Sequence, residues 1–299
     1  MSVNPSGRKG PGLPPGAPQS IGIVYSPWVP GAEELANTLA RRVNRAARSW
    51  VLPLTELEAH GQPQATRLLV TVGGDGTILR AVCATVNTDV PVVGVNMGRV
   101  GFMTELSAAE APERIESYAR GEGWIEERAM LEALVLPEAP GETTGDQPPI
   151  LGLNDAVVGR KGVARLVHVE VCVDGNPLAT YSCDAVIVAT GTGSTGYALS
   201  SGGPILYAES PSLLIKPVSP QLSLDAALVL HPDSVVELTT RTNDEALLSV
   251  DGHVDVPLAP GDRVRVHRSA LIARFLRSGP HPRLPEALAR RLGSPPRVE

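Results

Sequence analysis

Leu68-Leu69-Val70-Thr71-Val72-Gly73-Gly74-Asp75-Gly76-Thr77-Ile78-Leu79 reads as a buried strand that stops in a glycine turn and then opens a helix. Glycine backbone lets N–H groups approach a phosphate closely, and the helix N-terminus behind the turn favours negative charge. One carboxylate, Asp75, sits inside this anion-binding turn. It repels a bound anion unless a metal or a proton-transfer role offsets the repulsion. The pattern points to phosphoryl-transfer chemistry. The structural alternative is a tight turn closed by an Asx-type bond from Asp75.

The segments around this turn alternate between strand and helix. Ile21-Gly22-Ile23-Val24-Tyr25 reads as a first strand, and Leu35, Leu39 and Val43 predict an amphipathic helix over about residues 31–49. The strand 68–72 comes second, and the helix after the turn runs to about Val86. Val92-Val93-Gly94-Val95 is a third strand, followed by the loop Asn96-Met97-Gly98-Arg99-Val100-Gly101-Phe102. Ser107 with Glu110 matches a capping box opening a helix that ends near Gly121. Such alternation implies a mainly parallel sheet with its chemistry at the carboxyl ends of the strands.

Near residue 126 the period changes from helical to alternating. Val167–Val173, Val235–Thr239 and Arg263–His267 alternate with period two, and Asp174-Gly175 and Asp251-Gly252 are hairpin signals. The expected fold is a Rossmann-like α/β domain followed by a β-sandwich-like domain. The divisions are a disordered Gly/Pro/Ser-rich leader at 1–19, an α/β domain at 20–125, a β-rich domain at 126–274 and a tail at 275–299. Residues 137–149 read as an exposed loop, and a helix around Leu284–Leu292 is expected to return to the first domain.

Composition narrows the class. At 299 residues with 42% hydrophobic content the chain is globular, and a net charge of −6 argues against a nucleic-acid surface. Lys9, Lys161 and Lys216 are the only lysines, as GC-rich coding would also produce. Cys83, Cys172 and Cys183 have no metal-ligand spacing and suit a reducing compartment. With no apolar run of membrane-spanning length and no signal-peptide core, a soluble cytoplasmic protein is expected.

Two further segments carry polar chemistry. Leu153-Asn154-Asp155 places an amide beside a carboxylate, suited to ribose hydroxyls and an adenine edge, or to an ordinary Asx turn. Residues 184–204 form a hydroxyl- and glycine-rich turn after an apolar run. It contains a literal G-x-G-x-x-G at Gly191, Gly193 and Gly196, the fingerprint of a dinucleotide-binding Rossmann unit. Its context opposes that reading, because Gly202-Gly203-Pro204 stops any following helix within two turns.

In order, these motifs resemble the NAD kinase family over about residues 21–275. The family's GGDGT is Gly73–Thr77, its Asn-Leu-Gly-x-x-Gly-Phe is Asn96–Phe102, and its Asn-Glu/Asp pair is Asn154-Asp155. Its Ser/Thr/Gly segment aligns with Asp184–Tyr197 and its late Asp-Gly with Asp251-Gly252. Gly191 stands where the family commonly has Pro and Gly196 where it has Ala. Extra glycine raises the entropy of ordering the loop, which implies weaker substrate affinity.

The resemblance implies phosphorylation of the adenosine ribose 2′-hydroxyl of NAD, with ATP or polyphosphate as donor and Mg2+ or another divalent metal accompanying it. It implies Asp75 as general base, and Gly73, Gly74, Gly76, Thr77 and Arg80 around the donor phosphates. The NAD site would take Asp75, Gly76, Phe102, Asn154, Asp155, Arg165, Ser182 and Asp184, continuing through Thr192, Thr195, Gly196, Tyr197, Ala198, Leu199, Ser200 and His253. No metal ligand is assigned. Ser182 occupies a position that is often basic in NAD-preferring members, so NADH is expected to serve as well. Relatives imply a homodimer or homotetramer. GGDGT alone is shared with lipid kinases, and a non-catalytic NAD-binding regulator is a further alternative.

Overall fold

The computed structural model describes residues 20–44, 47–63, 65–98, 101, 103–138, 148–162, 166–221, 225–241 and 246–278. The expected leader, most of the loop at 137–149 and the helix around Leu284–Leu292 lie outside the described residues. The chain divides into two compact units: residues up to Glu126 together with those from Arg274 onward, and Glu127–Ala273.

The first unit contains β1 (Ser20–Tyr25), α1 (Ala32–Val43), β2 (Arg48–Pro53), α2 (Leu54–His60), β3 (Thr66–Gly73), α3 (Asp75–Thr85), β4 (Val92–Asn96), β5 (Leu106–Ser107) and α4 (Ala111–Ala119). Its strands pair in parallel in the order β2-β1-β3-β4-β5. Both faces of β3 are covered, which is why it reads as a continuous apolar run. Val70 and Val72 share one core with Ala36 and Leu39 of α1 and Ile115 and Tyr118 of α4. Beside β4, Ile78 of α3 fills the space over Gly94, where a Cβ would lie 2.4 Å from Ile78 Cδ1.

The Ser107–Glu110 bonds of the expected capping box are present, with Ser107 Oγ donating to Glu110 at 2.6 Å and the Glu110 N–H donating to Ser107 Oγ at 3.3 Å. They close the turn before α4, whose N-cap position is Glu110 itself. The predicted helix over 31–49 is shorter in the structure. It ends at Val43, and a strand and a helix follow where the sequence pattern showed neither. Asn44 causes the reversal, because its Oδ1 accepts both the Ser49 N–H at 2.9 Å and the Ser49 hydroxyl at 3.0 Å. β2 is partly exposed throughout, so it carries neither a buried run nor a clean alternation.

The second unit is built of β6 (Trp124–Leu136, beginning in the first unit), β7 (Ile150–Gly152), β8 (Asp155–Arg160), β9 (Val167–Val173), β10 (Asn176–Cys183) and β11 (Ala185–Ala189). After the short α5 (Tyr197–Ser200) come β12 (Leu214–Val218), β13 (Leu228–Val229), β14 (Val235–Thr240), β15 (Ala246–Val250), β16 (Val254–Leu258) and β17 (Arg263–Arg277). One sheet has the order β13-β12-β11-β8-β15-β16. A second contains β10-β9-β14-β17, with β6 joining β17 to β7.

A single core draws on both sheets, with Val158, Val188 and Leu248 from the first and Val169, Leu238 and Val266 from the second. That is the sandwich-like arrangement the alternating segments predict. At the tips of two hairpins, Asp174-Gly175 (φ +52° and +75°) and Asp251-Gly252 (φ +52° and +67°) adopt left-handed backbone.

Leu238 is fully buried in this inter-sheet core. Leu238→Ala is expected to lower unfolding free energy by about 2–5 kcal/mol, read from urea denaturation of the full chain.

Candidate active site

Each unit carries one cluster of chemistry-bearing groups. In the first, β3 ends at Gly73 beside Asn96, and the Met97 N–H donates to the Gly73 carbonyl at 3.0 Å. The glycines of the turn differ in purpose. A Cβ on Gly73 would lie 2.2 Å from Thr77 Oγ1 and 3.2 Å from Ser26 Cβ, so Gly73 serves close packing. A Cβ on Gly74 or Gly76 would meet nothing within 4 Å among the described residues, so their backbone is open to a ligand.

Thr77 closes the turn. Its N–H donates to the Gly74 carbonyl at 3.0 Å, and its Oγ1 accepts the Gly74 N–H at 3.4 Å. Asp75 opens α3, and its Oδ1 accepts the Met103 N–H at 3.1 Å. Gly101 lies so close that a Cβ there would sit 2.0 Å from the same oxygen. A carboxylate is thus held at the N-terminus of an 11-residue helix beside approachable amides, the electrostatics an anionic phosphate requires.

The second cluster gathers around the segment Leu153–Asp155. Asp251 lies across from it, and its carboxylate accepts the N–H of Leu153 at 2.7 Å, of Asn154 at 2.7 Å and of Asp155 at 3.0 Å. Its own N–H donates to the Asp155 carbonyl at 2.9 Å. Thr190, at the end of β11, donates its hydroxyl to the Leu153 carbonyl at 2.6 Å and its N–H to the Asn154 carbonyl at 2.9 Å. Gly193 then packs against that carbonyl, where a Cβ would lie only 1.9 Å from the oxygen.

Asp155 is 8% exposed, and burial, reinforced by the neighbouring Asp251 charge, pushes its carboxyl up to about 7. Burial also raises Asp251, while its three backbone donors pull the other way. Next to Gly193 in sequence, Thr192 Oγ1 is buried with no hydrogen-bond partner among the described residues. The cluster offers a donor-acceptor amide, two carboxylates and a free hydroxyl, a set suited to sugar hydroxyls and a base edge.

Residues 29–123 match the ATP-NAD kinase N-terminal domain, and residues 153–278 match the ATP-NAD kinase C-terminal domain. The chain is 39% identical over 264 residues to the NAD kinase of Dehalococcoides mccartyi, a match covering 88% of this chain and 92% of that one. The chain belongs to the NAD kinase family.

The NAD kinase of Chloroflexus aggregans is 35% identical over 269 residues, covering 88% of this chain and 94% of that protein. The fold matches yeast NADH kinase complexed with NADH at a TM-score of 0.76 and 24% identity, covering 94% and 89% of the two chains. It matches an Archaeoglobus fulgidus NAD kinase in complex with ATP at 0.71 and 24%, covering 92% and 98%.

Against the NAD kinase motifs, the remaining residues fall as follows. Arg80 Nε donates to Glu58 at 2.6 Å, and its guanidinium lies 4.7 Å from the ring centroid of Trp28, which is 61% exposed. Asp184 pairs with Arg160 Nε at 3.1 Å. Ser182 lies in β10, with its carbonyl accepting the Gln221 N–H at 2.8 Å. Thr195 Oγ1 donates to the Thr192 carbonyl at 3.0 Å. Tyr197, Ala198, Leu199 and Ser200 form α5, with Ala198 buried and Tyr197 exposed. His253 is exposed two residues beyond Asp251. Phe102 and Arg165 lie outside the described residues.

β11 runs antiparallel to both of its neighbours, and α5 spans four residues, so G-x-G-x-x-G here is not a parallel βαβ fingerprint. Gly191 has a packing reason that the sequence did not show. A Cβ there would lie 2.4 Å from the Tyr207 carbonyl oxygen, so the glycine lets the following segment close over the loop. Sequence reasoning also assigned no role to Asp251 beyond its hairpin signal, nor to Thr190, Gly101 or Met103.

Among the described residues, no three His, Cys, Asp or Glu side chains converge on one point, and no helix is long and apolar enough to cross a membrane.

Asp251→Ala strands three backbone donors and is expected to cost about 2–4 kcal/mol in urea unfolding, with Asp251→Asn costing less. A raised carboxyl pKa in the folded state means stability declines as pH rises from the ordinary 3.8 to about 7 for Asp155. The penalty is absent below that window and complete above it. Asp155→Asn should flatten this part of the profile of thermal midpoint against pH; an unchanged slope contradicts the burial argument.

Proposed function

We propose that this protein transfers a phosphoryl group to the adenosine ribose 2′-hydroxyl of NAD, yielding NADP, with ATP or inorganic polyphosphate as donor. The observation that carries the reading is Asp75, a carboxylate oriented by a backbone N–H at a glycine-lined helix N-terminus in a chain of this family.

Asp75 accepts the proton of the attacking hydroxyl. That hydroxyl is far less acidic than a carboxylic acid, so the proton moves late, as bond breaking to the leaving phosphate advances in a loose transition state. The open backbone at Gly74 and Gly76 holds donor oxygens, and the α3 N-terminus favours their charge. Asn154 and Asp155 orient ribose and adenine, and the unpartnered Thr192 hydroxyl, with Thr195 and Tyr197 nearby in sequence, lines the dinucleotide. Arg80 reaches the donor by exchanging Glu58 for phosphate.

A divalent ion would be carried by the donor phosphates, because the described residues bring together no cluster of three acidic, imidazole or thiol side chains to hold one. When bound, Mg2+ neutralises phosphate charge. The small Ser182 side chain supports use of NADH beside NAD. The family resemblance supports a cytoplasmic homodimer or homotetramer.

The test is the purified full chain with Mg2+, NAD or NADH, and ATP or polyphosphate, assayed for NADP(H). Asp75→Asn should lower kcat at least ~10²-fold with the thermal midpoint unchanged. Near-normal turnover of that variant would rule out Asp75 as base, and absence of NADH phosphorylation would rule out the Ser182 inference.

A further inference from the structure

The carboxylate of Asp75 is contacted by Gly101 and Met103, and Gly101 is tied in turn to Thr104. The Met103 N–H donates to Asp75 Oδ1 at 3.1 Å, and the Gly101 N–H donates to Thr104 Oγ1 at 3.2 Å. The other end of Met103 is gripped from the end of the chain. Arg277 closes β17, and its Nη1 donates to the Met103 carbonyl at 2.9 Å.

Arg277 is nearly buried, with 8% of its side chain exposed, and two of its guanidinium nitrogens are bonded. Its Nε pairs with Glu126 and its Nη1 also reaches Glu105 at 3.3 Å. Glu105 is fixed in turn by the Tyr118 hydroxyl at 3.0 Å, the Ser278 N–H at 2.9 Å and its own N–H to the Gly94 carbonyl at 2.8 Å. A buried guanidinium with a rigid fork, anchored to two carboxylates, has little freedom to move the carbonyl it holds. Met103 thus meets Asp75 through its N–H and this buried network through its carbonyl.

We infer that Arg277 is a positioning residue for phosphoryl transfer, acting on Asp75 through Met103. This rests on Asp75 being the general base. A base must be held within a fraction of an ångström of its productive place, so loosening Met103 lowers turnover without touching substrate binding.

The experiment compares wild type, Arg277→Lys and Arg277→Met in the full-length enzyme. Steady-state kinetics are read per folded molecule, with added guanidinium ion as a rescue arm. Lysine cannot supply the fork, so Arg277→Lys is expected to lower kcat about tenfold and Arg277→Met further. KM for NAD should stay within about twofold of wild type, and guanidinium should restore part of kcat in Arg277→Met.

Because Arg277→Met removes the cation that Glu105 and Glu126 face, Arg277→Met/Glu126→Gln, which removes one of those two charges, serves as a second variant, and the same kcat loss is expected. Wild-type kcat in the folded variants overturns the inference, as does a loss that appears equally in KM. Failure of all these variants to fold makes Arg277 structural only and overturns it too. If Asp75→Asn turns over normally, the reading of the base fails; if Asp75→Asn is inactive while the Arg277 variants match wild type, only the positioning role fails.

Discussion

The chemistry of the first unit depends on one close approach, that of Gly73 to the side chain of Thr77. A strand can end and a helix begin within two residues only if nothing projects from Gly73, because a Cβ would sit 2.2 Å from Thr77 Oγ1. That contact draws α3 tightly onto the end of β3, with Asp75 as its first residue. The neighbouring Gly74 and Gly76 then put no side chain over the backbone at the positive end of the helix. Packing of the parallel sheet and the capacity to bind an anion therefore arise from the same few atoms.

The second unit handles buried carboxylates by a different route. Asp251 is taken out of water and offset by three backbone N–H groups, so it organises Leu153–Asp155 as a cap organises a helix end. Among the described residues no backbone donor offsets Asp155, and burial, with the Asp251 charge beside it, drives its carboxyl up to about 7. Burial raises both acids of the cluster, and only Asp251 has backbone donors that oppose the rise. The hairpin that carries Asp251 makes this possible, since its left-handed backbone turns the carboxylate back over the adjacent strand.

Much of this was legible along the chain because the relevant groups are close in sequence. The run from Leu68 to Leu79 and the alternating strands at 167–173 and 235–239 appear in the structure as read, and the Ser107–Glu110 pair bonds as expected, one step ahead of the helix. The failures have physical causes. Asn44 ended α1 early through bonds to Ser49, and a partly exposed edge strand such as β2 has no period to detect. The glycine fingerprint at 191–196 misleads because spacing says nothing about strand direction, and here β11 is antiparallel to its neighbours.

By itself, the sequence determined the turn, the two-part fold, the family and which residue types carry chemistry. These follow from local spacing, where one residue constrains the next few through the backbone. Only the tertiary structure decided what holds those residues in place: Asp251 against Leu153–Asp155, Gly193 against Asn154, Gly191 under the Tyr207 carbonyl, and Arg277 on Met103. Each joins positions far apart in the chain, and a hydrogen bond or a steric limit between such positions exists only once the sheets have set their register.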